Sequence, residues 1–339
     1  MRLRRSAVRG PGMRRIRRGR GFSYENFDGT PVTDEATLQR IKDLVIPPAW
    51  KDVWICPYPN GHIQAVGTDA AGRRQYLYHQ RWQQDRNEEK FDRVLEMSAA
   101  LTEMRRQVAA DLRGRGLSRN RVVAVALHLL DLGYFRAGSE QYAEENNSFG
   151  ISTLLWEHVT VQRNAIEFDF PAKSGVRRTL TIDDPTAVHS VRALLRRPER
   201  TERLLVCRNG SGWADVNADD LNARFKELVG EQYSVKDLRT WHGTVLAATA
   251  FVDADPPVNK TVVKRVESAV MKEVAEELGN TPAVARASYV DPRVVEGYQS
   301  NLTIAAAVRR ADRMKALAER REVLDRSTAR LIRRVAKNQ

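Results

Sequence analysis

Cysteine is nearly absent from this chain of 339 residues: Cys56 and Cys207 are the only two, and they stand far apart. That excludes a disulfide framework and cysteine-based metal modules, and it points to a reducing cytoplasm. Long apolar runs are missing too. The longest stretches, near 122–130 and 245–252, are too short to span a bilayer, and no apolar segment follows the basic amino terminus to make a secretory signal. The six histidines show no metal-ligand spacing, and neither a glycine-rich nucleotide loop nor an internal repeat is present. These absences set aside a membrane protein, a secreted mini-domain, a zinc module and a nucleotide-driven machine.

What is abundant is positive charge. The net charge is +13, with ordinary apolar and charged fractions of 42% and 29%. Such a balance favours an acidic polymer as partner. Its distribution narrows that statement. Residues 1–21 hold nine arginines and no acid, and residues 308–339 carry +7, which leaves 22–307 at −3. Both ends favour phosphate; the body must make its case through local patches. Residues 1–21 read as a basic disordered tail, and Met13 is a possible alternative start.

The patterning predicts an α+β chain of two domains. A helix is expected over 33–45, stopped by Pro47-Pro48. A small antiparallel sheet follows, with a hairpin at Pro59-Asn60-Gly61 and a turn at Asp69–Gly72. Residues 22–90 thus form a small β-rich N-terminal domain, with a polar boundary at 83–92. Residues 91–339 form a larger, mainly α-helical domain. Its helices are expected at 91–112, 121–132 (closed by Gly133), 185–196, 218–229, 239–252, 260–278 and 305–335. One three-stranded sheet interrupts them at 157–162, 165–170 and 176–182.

Chemistry-bearing residues are scattered. Leu278-Gly279-Asn280-Thr281-Pro282 ends a helix, and Tyr289 follows in a short connection. Alone, Tyr289 reads as a packing tyrosine. A positioned phenolate is also one of the few side chains able to attack a phosphodiester without a metal. Such an attack needs cations on the non-bridging oxygens, an acid for the leaving oxygen and a further donor. Arginine suits the first task, because its planar fork stays charged. A lysine whose pKa is lowered by neighbouring cations suits the second. Arg136 follows a buried helix in Gly-Tyr-Phe-Arg-Ala-Gly, Lys173 sits at a hairpin tip, and Arg239 lies in Lys236-x-x-Arg239-Thr-Trp. Each alone reads equally as a solvated charge.

Taken in order, these segments resemble the type IB DNA topoisomerases, most closely the small bacterial and poxvirus-type enzymes. The resemblance runs from about Ile46 to Tyr298 and includes Arg73–Tyr78 and 140–150. It implies a tyrosine recombinase/topoisomerase IB-like catalytic domain and a C-shaped clamp on duplex, supercoiled DNA. It implies a monomer, associated with the nucleoid, with no cofactor and no metal. By that resemblance Tyr289 is the nucleophile, forming a 3′-phosphotyrosyl bond. Arg136 and Arg239 hold the non-bridging oxygens, Lys173 protonates the leaving 5′-oxygen, and Asn280 supplies the further donor. The commoner family pattern has histidine at that last position; asparagine can donate there but cannot exchange a proton near neutrality. Arg74, Gln75, Tyr76 and Tyr78 are expected to contact DNA from the N-terminal domain, and Gln141 and Tyr142 near the scissile phosphate. A pair packed into the sheet is the competing expectation for Tyr76 and Tyr78. His242 has no assigned role. A tyrosine recombinase and a non-catalytic basic DNA-binding protein are the alternatives; recombinases usually carry His-x-x-Arg where this chain has Lys236-x-x-Arg239.

Overall fold

The structure, a computed structural model, describes residues 2–197, 201–210 and 212–338. It divides into two compact units, 1–90 and 91–339. The architecture is α+β, and none of the described helices is long and apolar enough to cross a membrane.

The first unit is built on a five-stranded antiparallel sheet of order β2-β1-β3-β4-β5. Its strands are β1 (Met13–Arg18), β2 (Gly21–Glu25), β3 (Lys51–Ile55), β4 (Ile63–Thr68) and β5 (Arg74–Tyr78), with helix α1 (Glu35–Asp43) between β2 and β3. Asp34 caps α1 by accepting from the Thr37 N–H. Met13, Ile41, Val53, Ile55 and Ala65 form the small core.

The expected disordered tail is corrected here: Arg14, Arg15, Arg17 and Arg18 lie in strand β1 of the sheet. Met13 pairs with Ile55 and is buried. Arg15 donates to the carbonyls of Ile46, Pro47 and Trp50 at 3.2, 3.0 and 2.7 Å. Ahead of β1, the Arg4 N–H reaches Asn60 O at 2.8 Å, and the Ser6 N–H donates to His62 Nδ1 at 2.9 Å. A run of like charge suggested solvation, but arginine stems pack while their forks satisfy carbonyls.

Helix α2 (Gln80–Met97) covers the expected polar boundary, so that stretch is helical rather than a loop. In the second unit follow α3 (Leu101–Leu112), α4 (Arg119–Gly133) and α5 (Glu140–Asn146). A three-stranded sheet, β6 (Val159–Val161), β7 (Ile166–Pro171) and β8 (Arg177–Ile182), comes next. Then come α6 (Pro185–Leu195), the hairpin β9 (Val206–Asn209) and β10 (Gly212–Asp215), α7 (Ala218–Val229), α8 (Val235–Ala250) and α9 (Lys260–Leu278). The chain closes with α10 (Pro282–Ser288), α11 (Pro292–Gln299), α12 (Ala305–Ala311) and α13 (Leu317–Lys337).

Helix α4 is apolar on nearly every face and lies buried in the main core, as its composition requires. Its terminator is not Gly133. Tyr134 takes the left-handed conformation (φ 51°), while a Cβ on Gly133 would lie 2.5 Å from the Phe135 ring. Two further expectations are revised. The helix expected at 91–112 is broken at 98–100, and the one at 305–335 is broken between Ala311 and Leu317. The β9–β10 hairpin and the short helices α10 and α11 were not anticipated, because four-residue strands and helices of seven or eight residues carry too little periodicity to register.

Candidate active site

Two helix ends build the site. Helix α9 stops at Gly279, which adopts φ 57°, a conformation that strains any residue with a Cβ. The last carbonyls of a helix have no partner inside it. Here successive ones are taken by successive arginines. Glu277 O accepts from Arg178 at 2.8 Å, Leu278 O accepts from Arg239, and Gly279 O accepts from Arg136 at 3.0 Å. The end of α4 contributes two more acceptors: Gly133 O takes Arg178 at 3.0 Å and Tyr134 O takes Arg239.

This arrangement has an electrostatic consequence. Carbonyls fix a guanidinium in place without neutralising it. Among the described residues, Arg136, Arg178 and Arg239 form no ion pair, whereas the buried Arg105 is held by Asp131 and Asp325. Burial and mutual repulsion push Arg239 down to about 9, burial first and Arg136 next, with Tyr289 opposing. Arg178 is lowered to about 10, again by burial and then by Arg136. Burial lowers Arg136 as well, opposed by Tyr289. The helix C-termini offset part of this cost through their dipoles. An anion placed among the three would relieve the rest.

A cleft of about 360 Å³ opens at this point, lined by Arg136, Tyr142, Lys173, Lys236, Arg239 and Tyr289 among others. Arg136 is aimed into it by backbone pairing, since its carbonyl accepts from the Ile151 N–H at 2.9 Å. Lys173 occupies the turn between β7 and β8, which closes through Ala172 N–H to Val176 O at 2.8 Å. It is exposed and makes no hydrogen bond or ion pair among the described residues. Tyr289 caps the end of α10, and Arg239 Cζ lies 5.3 Å from its ring centroid. Helix α8 holds the tyrosine from behind. Thr244 Oγ1 lies 3.1 Å from Tyr289 O, and a Cβ on Gly243 would come within 2.8 Å of that same oxygen. Asn280 is anchored by Arg136, whose Nη2 donates to its Oδ1; its Nδ2 is buried with no partner among the described residues.

Comparison with known proteins agrees with this geometry. Residues 79–316 match the eukaryotic DNA topoisomerase I catalytic core family, and residues 21–69 match the bacterial DNA topoisomerase IB N-terminal domain. DNA topoisomerase 1B of Acanthamoeba polyphaga mimivirus is 31% identical over 86% of this chain and 88% of its own length. The chain belongs to the type IB DNA topoisomerases. DNA topoisomerase 1B of Vaccinia virus (strain Copenhagen) is a more distant relative, 22% identical over 82% of this chain and 87% of its own length.

The expected site residues of this topoisomerase IB chain fall into two groups. Arg136, Lys173, Arg239 and Tyr289 line one cleft, with Asn280 bonded to Arg136 beside it. Tyr142 lines the cleft too, but Gln141 does not; its amide turns to Glu145 at 3.1 Å. In the N-terminal unit, Arg74, Tyr76 and Tyr78 share the exposed face of edge strand β5. The tyrosine rings stack 6.1 Å apart and are 40% and 39% exposed, so packing into the sheet is not their role. Gln75 points to the other face and donates to Asp69 at 2.9 Å, which separates it from the expected contact row.

Two residues escaped the sequence reading. Lys236 was noted only as part of a motif, yet it lines the cleft. Arg178 was not singled out at all. Its signal was available: it occupies an inward position of a strand whose neighbours alternate outward. His242 is buried, with Nε2 2.9 Å from Asp131 Oδ1.

Proposed function

We propose that this chain relaxes supercoiled duplex DNA by transient single-strand cleavage, acting as a monomer. Tyr289, its phenolic proton released to solvent, attacks the scissile phosphorus through Oη; the Oη–P bond forms as the P–O5′ bond breaks. Arg136 and Arg239 neutralise the two non-bridging oxygens, and the Asn280 amide donates to the pentacoordinate intermediate. Lys173 gives its proton to the departing 5′-oxygen, leaving a 5′-hydroxyl. The phosphotyrosine keeps the bond energy. After strand rotation the 5′-hydroxyl attacks it, Lys173 takes the proton back, Tyr289 leaves as phenolate and regains its proton from solvent, and the backbone is restored without nucleotide hydrolysis.

One observation carries this reading: four separate segments of one chain bring Arg136, Lys173, Arg239 and Tyr289 to a single cleft, with the arginines tethered by carbonyls and not by carboxylates. That design demands an anion and suits a tetrahedral phosphate. Because every member comes from the same chain, the chemistry needs no second copy. On the N-terminal unit, the Arg74-Tyr76-Tyr78 row offers a cation and two aromatic faces to DNA.

The test is a plasmid assay with the chelator EDTA present and no ATP. The expected result is relaxation by the native chain, a covalent protein–DNA adduct on denaturation, and loss of both in Tyr289→Phe. DNA binding with neither relaxation nor adduct would overturn the proposal. Strand exchange between defined paired sites would assign the cleft to recombination instead.

A further inference from the structure

We propose that Arg178 is a positioning residue behind the phosphate site: it holds Gly279 and Asn280 against Arg136 and places there a positive charge that no ion pair neutralises. The inference rests on reading the cleft as the phosphodiester site.

Arg178 leaves β8 on the face it shares with Leu180 and Ile182, where an alternating strand ordinarily carries apolar side chains. Its Nη2 donates to Gly133 O at 3.0 Å and to Glu277 O at 2.8 Å, so one guanidinium ties the end of α4 to the end of α9. Nη1 lies against Gly279: a Cβ there would come within 2.6 Å of it. Glycine suits 279 for its backbone conformation, and a Cβ there would also push the Arg178 fork aside. The next acceptors along the chain, Gly279 O and Asn280 Oδ1, both receive Arg136. Arg178 thus sits directly behind the groups that aim Arg136.

Its charge is attracted by Glu277 but not neutralised in an ion pair. Among the described residues Arg178 has no ion pair, and its Nε is buried without a partner. Asn280 is a neutral donor. Arg178 therefore adds to the positive charge of Arg136 on this side of the cleft, acting across a poorly solvated interior where Coulomb interactions are strong. Because it does not line the cleft, Arg178 is a positioning residue.

The experiment is single-turnover cleavage by the full chain on a duplex whose downstream strand dissociates once cut. Two scissile groups are compared: the native phosphodiester, and a methylphosphonate, in which a methyl group removes the negative charge. On the phosphodiester, Arg178→Met is expected to slow cleavage about a hundredfold, within the range for losing one element of charge stabilisation. Arg178→Lys, which keeps the charge, is expected to recover at least about tenfold of that loss. On the methylphosphonate the penalty of Arg178→Met is expected to shrink by about tenfold or more, because there is less charge to stabilise. Affinity for intact duplex, measured with Tyr289→Phe also present, is expected to stay within about threefold.

A merely structural role would slow both substrates equally, with Arg178→Lys no better than Arg178→Met; that result, or no effect on either substrate, overturns the inference. If the melting temperature shows that Arg178→Met does not fold, Arg178→Gln, which keeps a donor for the carbonyls, decides the same question. Should the native chain form no adduct, or Tyr289→Phe still form one, the reading of the cleft itself is wrong. Adduct formation that requires Tyr289 but ignores every change at Arg178 sinks this inference alone.

Discussion

At Asn280 the side-chain amide faces two ways. Its oxygen accepts from Arg136, and its buried nitrogen has no partner among the described residues. The sequence alone suggested a donor; the structure adds the acceptor that steadies an arginine. Alanine removes both functions. We predict that Asn280→Ala lowers the single-turnover cleavage rate by about a hundredfold; an unchanged rate would dismiss the role. Neutral imidazole offers one acceptor and one donor, so Asn280→His is expected to stay within about tenfold of native near pH 8. Imidazolium has no acceptor for Arg136, so this variant is expected to lose activity as pH falls through about 6.5, while the native chain does not lose it for this reason. Lys173 is separable by chemistry. A 5′-phosphorothiolate leaves without needing a proton. Lys173→Ala is therefore expected to cleave the native linkage at least about a hundredfold more slowly, yet to cleave the thiolate at close to the native rate. Failure of that rescue would remove Lys173 as the acid.

Elements reveal what charge counting concealed. The arginine-rich start reads as a solvated arm, yet β1 is an inner strand of the sheet, and the residues before it bond to the loop between β3 and β4. We predict that deleting residues 1–12 lowers the melting temperature of the N-terminal unit by at least about 4 °C, the shift expected for roughly 1 kcal/mol in a domain of this size. The loss should persist at high salt. If these residues were only a phosphate-binding arm, deletion would leave the melting temperature unchanged and weaken DNA binding in a salt-dependent way. Strand β5 teaches the reverse lesson. Alternation placed Arg74, Tyr76 and Tyr78 together, and they do share one exposed face. Gln75 was grouped with them through the family resemblance, against that alternation, and its side chain turns the other way, to Asp69.

Across the catalytic unit, a buried ionic network ties the C-terminal helix to the helix that carries Arg239. Arg105 of α3 bonds Asp131 of α4 at 2.9 Å and Asp325 of α13 at 2.6 Å. Trp241 of α8 donates to Asp325 at 2.8 Å, His242 of α8 meets Asp131 at 2.9 Å, and Arg321 of α13 reaches Asp131 at 2.8 Å. Burial alone would raise Asp131, but Arg105 and Arg321 hold it well below the usual carboxylate range. Its contribution is complete above its unfolded value and is lost only in strong acid, as pH falls through the folded value. His242 loses its contribution in the same direction, as pH falls, but nearer neutrality. Burial lowers it from 6.5, with Asp131 opposing, so the unfolded chain takes up the proton first. Stability should therefore fall as pH drops below about 6.5, by up to about 1.4 kcal/mol per pH unit for each such histidine. His158, also lowered by burial, adds to the slope. Urea unfolding from pH 8 to pH 5 checks this: His242→Gln is expected to flatten the slope without abolishing it, and an unchanged slope would refute the assignment to His242.

The α+β class, the buried helix α4, the hairpin that carries Lys173 and the order of Arg136, Lys173, Arg239, Asn280 and Tyr289 are legible in the amino-acid pattern. Those features are local: periodicity, turn chemistry and motif spacing express them directly. Contacts between distant segments made Met13–Arg18 a strand, placed His242 in a buried network and brought Arg178 beside Arg136 and Arg239. These depend on which carbonyls and carboxylates other segments present. The ends of α4 and α9 meet across more than a hundred residues of chain, and that meeting determines which arginines are held by carbonyls and not by carboxylates.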